Sequence, residues 1–212
     1  MRRPTRESVL RVEGVSFAYP GQPMLLANWS AAIPPGVTLL FGDTGSGKTA
    51  VLRLLAGTGP VDGRLTLGDH CFDTDPAAYR RAVFWHEPGS DAFDQQSPRQ
   101  IGATMHTERP GFDPAAWDHH AAAFALGAHL DKPLYMLSTG SKRKVWLAAA
   151  LAAASPLTLL DEPFGALDAP SSAHLRRALA DAAMRRDRAL IVASSEVPVG
   201  VPLAGRVDLP MR

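Results

Sequence analysis

Gly42-Asp43-Thr44-Gly45-Ser46-Gly47-Lys48-Thr49, written GDTGSGKT, decides how the rest of the chain is read. A short continuous apolar run, Val37 to Phe41, comes before it, and a helical pattern from Thr49 to Ala56, stopped by Gly57, comes after it. Between a strand and a helix, these eight residues match G-x-x-x-x-G-K-[ST] in full. Glycines let the backbone turn its amides inward around a phosphate chain. Lys48 supplies a cation for the β- and γ-phosphates, and the Thr49 hydroxyl is placed to ligate Mg²⁺. The helix N-terminus adds partial positive charge. Gly42, Asp43, Thr44, Gly45, Ser46, Gly47, Lys48, Thr49 and the adjoining Ala50 are therefore the candidate contacts to a nucleoside triphosphate.

Two further stretches bear on the chemistry. Leu157-Thr158-Leu159-Leu160-Asp161-Glu162 is an apolar strand ending in two carboxylates, where a parallel sheet presents its ligand-facing edge. Asp161 is expected to hold Mg²⁺ and Glu162 to orient or deprotonate an attacking water. The second, Leu137 to Val145 (LSTGSKRKV), puts Ser138 and Gly140 at the start of an apolar helix running to Ala154. Ordinary helix capping accounts for that pattern, and so does an anion site built from free amides. Lys142-Arg143-Lys144 beside it reads as a solvated helix face.

Outside these motifs the chain suits one substantial core. Its 212 residues are 46% apolar and 20% charged, with a formal net charge of +1, so nothing global points to a nucleic-acid partner. The single cysteine, Cys71, excludes an intramolecular disulfide and a thiolate cluster built from this chain alone, which suits a reducing cytoplasm. The basic start, Met1 to Arg6, leads into no apolar segment of signal-peptide length. Val145 to Leu160 is interrupted at Ser155-Pro156 and too short for a membrane span, so any membrane work requires another chain.

Extended runs are expected at Val9 to Phe17, Met24 to Ile33, Val61 to Phe72 and Ala82 to Trp85, and short helices over residues 98–128. Helices over 139–154 and 171–186 alternate with strands over 157–160 and 189–193. Such alternation implies an α/β fold with a mostly parallel sheet covered on both faces. His119-His120 and His129 lie on an expected helical segment without a matched carboxylate or cysteine and read as part of a solvated face rather than a metal site.

Taken in order, the segment from Tyr19 to Thr49, LSTGSKRKVWLAAAL, LTLLDEP and GALD (Gly165 to Asp168) resemble the ATP-binding subunits of ABC transporters over nearly the whole chain. His86-Glu87-Pro88-Gly89 is similar to the short haem-exporter subunits of cytochrome c maturation. The resemblance implies a P-loop NTPase of ABC ATPase type. It would form one domain over 1–212, with a nucleotide-binding core at 1–85 and 150–212, an N-terminal antiparallel β part, and a helical subdomain at about 86–149 carrying the signature. It also implies ATP and Mg²⁺ as ligands, with Tyr19 on the adenine, Ser138 and Gly140 on the γ-phosphate of a second copy, Glu162 as base, and Asp168 at the dimer seam. The partners would be a second ATP-binding subunit, identical or paralogous, and an integral membrane permease. The chain itself would sit on the cytoplasmic face of the membrane, its His86 to Arg99 surface meeting the permease.

Two positions depart from the family pattern. His86 stands where a glutamine is usual, and Ser195 stands where a histidine is usual, all seven histidines lying elsewhere. Serine donates a hydrogen bond but carries no charge, so slow or partner-dependent hydrolysis is expected. The alternatives are an ATP-gated regulatory module with little turnover, and a soluble phosphotransferase that would leave LSTGS and GALD without a role.

Overall fold

The computed structural model describes residues 9–210; the basic stretch at the N-terminus lies outside them. Two sheets organise the chain. The first is antiparallel, ordered β2 (Met24–Ile33), β1 (Leu10–Ala18), β4 (Asp62–Leu67) and β5 (His70–Cys71). The second, ordered β6 (Val83–Phe84), β7 (Leu157–Asp161), β8 (Ala189–Ser194), β3 (Gly36–Phe41) and β9 (Leu203–Asp208), is parallel at every pairing.

Burial explains why the central strands are continuous apolar runs rather than alternating ones. Every residue of β8 is buried. Its side chains divide between two cores by the period of two that a strand imposes. Leu190 and Val192 join the core that holds Trp117, Phe124, Trp146 and Leu175. Ala189, Ile191 and Ala193 join the one that holds Leu10, Leu65, Tyr79 and the helix α1 (Lys48–Leu55). The sheet is thus covered on both faces, as the strand-helix alternation implies.

The remaining helices are α2 (Pro76–Ala82), α3 (Pro98–Glu108), α4 (Pro114–Ala123), α5 (Thr139–Ala152) and α6 (Ala169–Ala183). Four of these five begin on a side-chain cap with a proline one or two residues on. Asp75, Ser97, Asp113 and Asp168 each accept a backbone N–H of the first turn, and Ser97 forms a reciprocal capping box with Gln100. Two elements exceed the sequence reading. Helix α2 occupies residues between two expected strands, although Asp75-Pro76 is a helix-start signature. Strand β9 follows the last expected strand and pairs with β3; its partly exposed, glycine-containing sequence lacks the apolar run of a buried strand. Among the described residues no helix is long and apolar enough to cross a membrane.

Candidate nucleotide site

Parallel pairing sets Phe41 beside Ser194 and Asp161 beside Ala193, so β3, β8 and β7 end together at one edge of the sheet. Gly42 to Gly47, Ser195-Glu196 and Asp161-Glu162 emerge there. A strand order in which β3 and β7 flank β8 is what brings motifs more than a hundred residues apart to one place.

The loop is shaped by its glycines. Gly45 and Gly47 hold φ of +83° and +94°, in the left-handed region. A Cβ on Gly42 would lie 2.4 Å from Ser46 Oγ, so the loop closes over that position. Asp43, Thr44 and Gly45 are exposed, while Lys48 is only 6% exposed. Helix α1 has no side-chain cap at Gly47 and no acidic residue in its first turn, which leaves its leading amides to an external anion. Ser46 Oγ is buried without a partner, a further polar atom at the same turn.

Around this loop the charged groups are tightly arranged. Lys48 Nζ donates to the carbonyls of Gly42 (2.7 Å) and Asp43 (2.9 Å) and lies 3.0 Å from Glu162 Oε1. Thr49 Oγ1 donates to Asp161 Oδ2 at 2.6 Å. Burial raises the Asp161 carboxyl above its usual range; the Thr49 hydroxyl opposes that shift, and the neighbouring Glu162 charge adds to it. Glu162 itself adopts a φ of +42°, uncommon for a residue with a side chain, and its N–H bonds Ala193 O. Thr49 and Asp161 therefore present a hydroxyl and a carboxylate side by side, the hard oxygen donors that Mg²⁺ takes.

His86 lies at the start of a cleft of about 380 Å³, bordered by Asp161, Arg143 and Trp146. Its ring stacks on Trp146 with centroids 3.7 Å apart and planes 11° from parallel. Burial pushes its pKa down to about 4, against a smaller opposing effect of Glu87, so the ring is neutral at pH 7. An exposed loop histidine is thereby excluded. Glu87 in turn accepts from Arg53 Nε of α1 at 2.8 Å, joining this loop to the phosphate-loop helix.

Ser138 caps α5, accepting from Ser141 N at 3.1 Å. Gly140 sits against the 165–168 loop, and a Cβ there would approach Ala166 O to 2.6 Å. Here the solvated reading of the cationic turn fails. Lys142 pairs with Asp94 (2.7 Å), Arg143 donates to Gly165 O, and Lys144, with a side chain only 13% exposed, pairs with Asp168 (2.5 Å). The first bond ties the start of α5 to the segment before α3, and the other two tie it to the loop after β7. No periodicity in LSTGSKRKV signals them, because their acceptors lie in other segments. Tyr19 is 46% exposed beyond β1, packed edge-on against Phe17 with centroids 5.0 Å apart. Ser195 is exposed just past β8, beside the phosphate-loop strand.

The family model described as ABC transporter matches residues 26–165. The chain is 32% identical over 209 residues to the taurine import ATP-binding protein TauB of Pseudomonas entomophila, covering 95% of this chain and 79% of that protein. It is 37% identical over 167 residues to the cytochrome c biogenesis ATP-binding export protein CcmA of Rhodospirillum rubrum, covering 78% and 68% respectively. In fold it is similar to a solved ATP-binding subunit of an ABC transporter, with a TM-score of 0.74, 20% identity, and coverage of 88% of this chain and 79% of the other.

Proposed function

Since this chain belongs to the ABC transporter family, as one of its ATP-binding, transport-coupled ATPase subunits, we propose that it binds ATP at the 42–50 loop and hydrolyses the γ-phosphate with Glu162 as base. The observation that carries this reading is the 3.0 Å approach of Glu162 Oε1 to Lys48 Nζ. It brings the phosphate-binding cation and the only other carboxylate at the end of β7 besides Asp161 to one point. Thr49 and Asp161 would hold Mg²⁺, which supplies charge neutralisation on the phosphates. Lys48 and the leading amides of α1 bind and orient the phosphate chain. Neutral His86 offers one donor and one acceptor near Asp161 for ordering a water, and Ser195 offers a hydroxyl.

Ser138 and Gly140 would complete the site of a second copy, identical or paralogous, with Tyr19 against the adenine. The bonds from Arg143 and Lys144 into the 165–168 loop support this, because they hold the signature helix and Asp168 as one rigid surface. A membrane permease is the proposed working partner, met through the His86 to Arg99 loop and the cleft beside it, with the chain peripheral on the cytoplasmic face. The regulatory alternative is not favoured by relatives whose names describe import and export proteins.

Phosphate release from purified protein with ATP and Mg²⁺, compared with Glu162→Gln, tests the assignment. Glu162→Gln should abolish turnover while retaining ATP binding, and should elute as an ATP-dependent dimer on size exclusion. Turnover at the wild-type rate in Glu162→Gln would remove Glu162 from the reaction.

A further inference from the structure

Away from the nucleotide site, three imidazoles meet between α4 and α6. His119 and His120 are consecutive on α4, and His174 projects from the second turn of α6. Their ring centroids form a triangle of 5.2 Å (His119 to His120), 5.8 Å (His119 to His174) and 5.2 Å (His120 to His174). His120 Nδ1 and His174 Nε2 are 3.0 Å apart, and one candidate ligand nitrogen from each of the three rings lies within 4.8 Å of the others. His174 is 7% exposed and rests edge-on against Phe124, with centroids 4.8 Å apart. His120 is half-buried and His119 is exposed. Reading His119 and His120 as a solvated face missed this cluster, because its third member comes from another helix 54 residues on. His129 takes no part in it.

We propose that His119, His120 and His174 form a binding site for one divalent transition ion of the zinc class, tying α4 to α6. Three imidazole nitrogen donors suit Zn²⁺ and its neighbours over Mg²⁺ or Ca²⁺, which prefer oxygen. Tetrahedral coordination at about 2.0–2.1 Å places ligand nitrogens ~3.3 Å apart, a few tenths of an ångström wider than the existing His120 to His174 contact. The larger adjustment falls on His119, whose exposed ring is free to change rotamer. Its exposure also leaves a fourth position for water.

An ion here needs a free lone pair on the facing nitrogens of both His120 and His174. The hydrogen bond between them places an N–H on one of the two facing nitrogens. A tautomer shift moves that proton to the outer nitrogen of the same ring and frees both lone pairs. Arg177, whose charge acts on His174, opposes a cation. It is exposed, so solvent and salt screen it.

The test uses the full chain without an affinity tag, stripped by chelator and titrated with Zn²⁺ in the absence of nucleotide, with stoichiometry read by calorimetry. One Zn²⁺ should bind per chain and raise the melting temperature, with Mg²⁺ producing neither effect. His119→Ala and His120→Ala should each weaken the affinity at least tenfold, while His106→Ala, at an exposed histidine elsewhere, should not. His119→Ala decides the matter if a substitution at buried His174 fails to fold, because His119 is exposed. Absence of saturable Zn²⁺ binding, or binding that His119→Ala leaves unchanged, overturns the proposal.

Discussion

Thr49 Oγ1 donates a 2.6 Å hydrogen bond to Asp161 Oδ2, joining residues 112 positions apart, one in the first turn of α1 and the other at the end of β7. The Thr49 hydroxyl also counters the upward shift of the Asp161 carboxyl that burial produces. Asp161→Asn keeps a carbonyl oxygen for Thr49 but removes the charge that would hold Mg²⁺ in the proposed site. Phosphate release should fall by on the order of 10²-fold or more, and raising Mg²⁺ should not restore it. Circular dichroism should be unchanged. A wild-type rate in Asp161→Asn would leave Asp161 with a structural role only.

Gly140 faces a backbone carbonyl, and a carbonyl cannot rotate away as the tip of a long side chain can. Gly140→Ala puts a Cβ 2.6 Å from Ala166 O, so either α5 or the 165–168 loop must shift. A cost of about 1–3 kcal/mol is expected from such overpacking, read as a lower urea midpoint. ATP affinity at the 42–50 loop should persist, while ATP-dependent dimerisation in a Glu162→Gln background should be lost. Retained dimerisation would separate this surface from the second copy's site.

Much of this architecture is legible before any coordinates. GDTGSGKT fixes a strand, a turn and a helix locally, and the strands expected at 157–160 and 189–193 announce themselves as apolar runs. What escapes is everything set by partners distant in sequence. The Lys144 to Asp168 and Arg143 to Gly165 bonds turn an apparently solvated cationic turn into a tether, and His174 turns an apparently idle pair into a cluster. Strand β9 escapes for a related reason: as a partly exposed edge strand it needs no apolar run, and its pairing with β3 defines it.

The His86 ring is stacked on Trp146 and neutral, which makes acid stability a readout of the stack. Its folded pKa of about 4 lies below the unfolded value near 6.5. The unfolded chain therefore takes up a proton first as pH falls. The contribution is fully present above about pH 6.5 and is lost progressively as pH falls towards 4. His120, similarly lowered, acts in the same direction. In His86→Gln the drop in urea midpoint between pH 7.5 and pH 5 should be smaller. Converted to unfolding free energy with the urea slope, the difference should be roughly 1–2 kcal/mol after allowance for the ring's partial exposure. An identical pH profile in the variant would mean that the ring is as solvated as in the unfolded chain.

Ser195 follows directly on β8, between β7, which leads to Glu162, and β3, which leads through the phosphate loop to Lys48, and the turn there is held by the Glu196 N–H bonding Ser194 Oγ at 3.1 Å. Its side chain is exposed, so a larger residue meets no packing penalty. A serine hydroxyl is short and always neutral, whereas an imidazole reaches farther and can carry charge towards a phosphate. Ser195→His should therefore raise steady-state phosphate release by on the order of tenfold, with little change in KM for ATP. Combining it with Glu162→Gln should remove the gain, because under the proposed mechanism the histidine would assist the attack without replacing Glu162 as base. A rate unchanged by Ser195→His would locate the limit on turnover elsewhere, and His86→Gln would then be the variant expected to raise it.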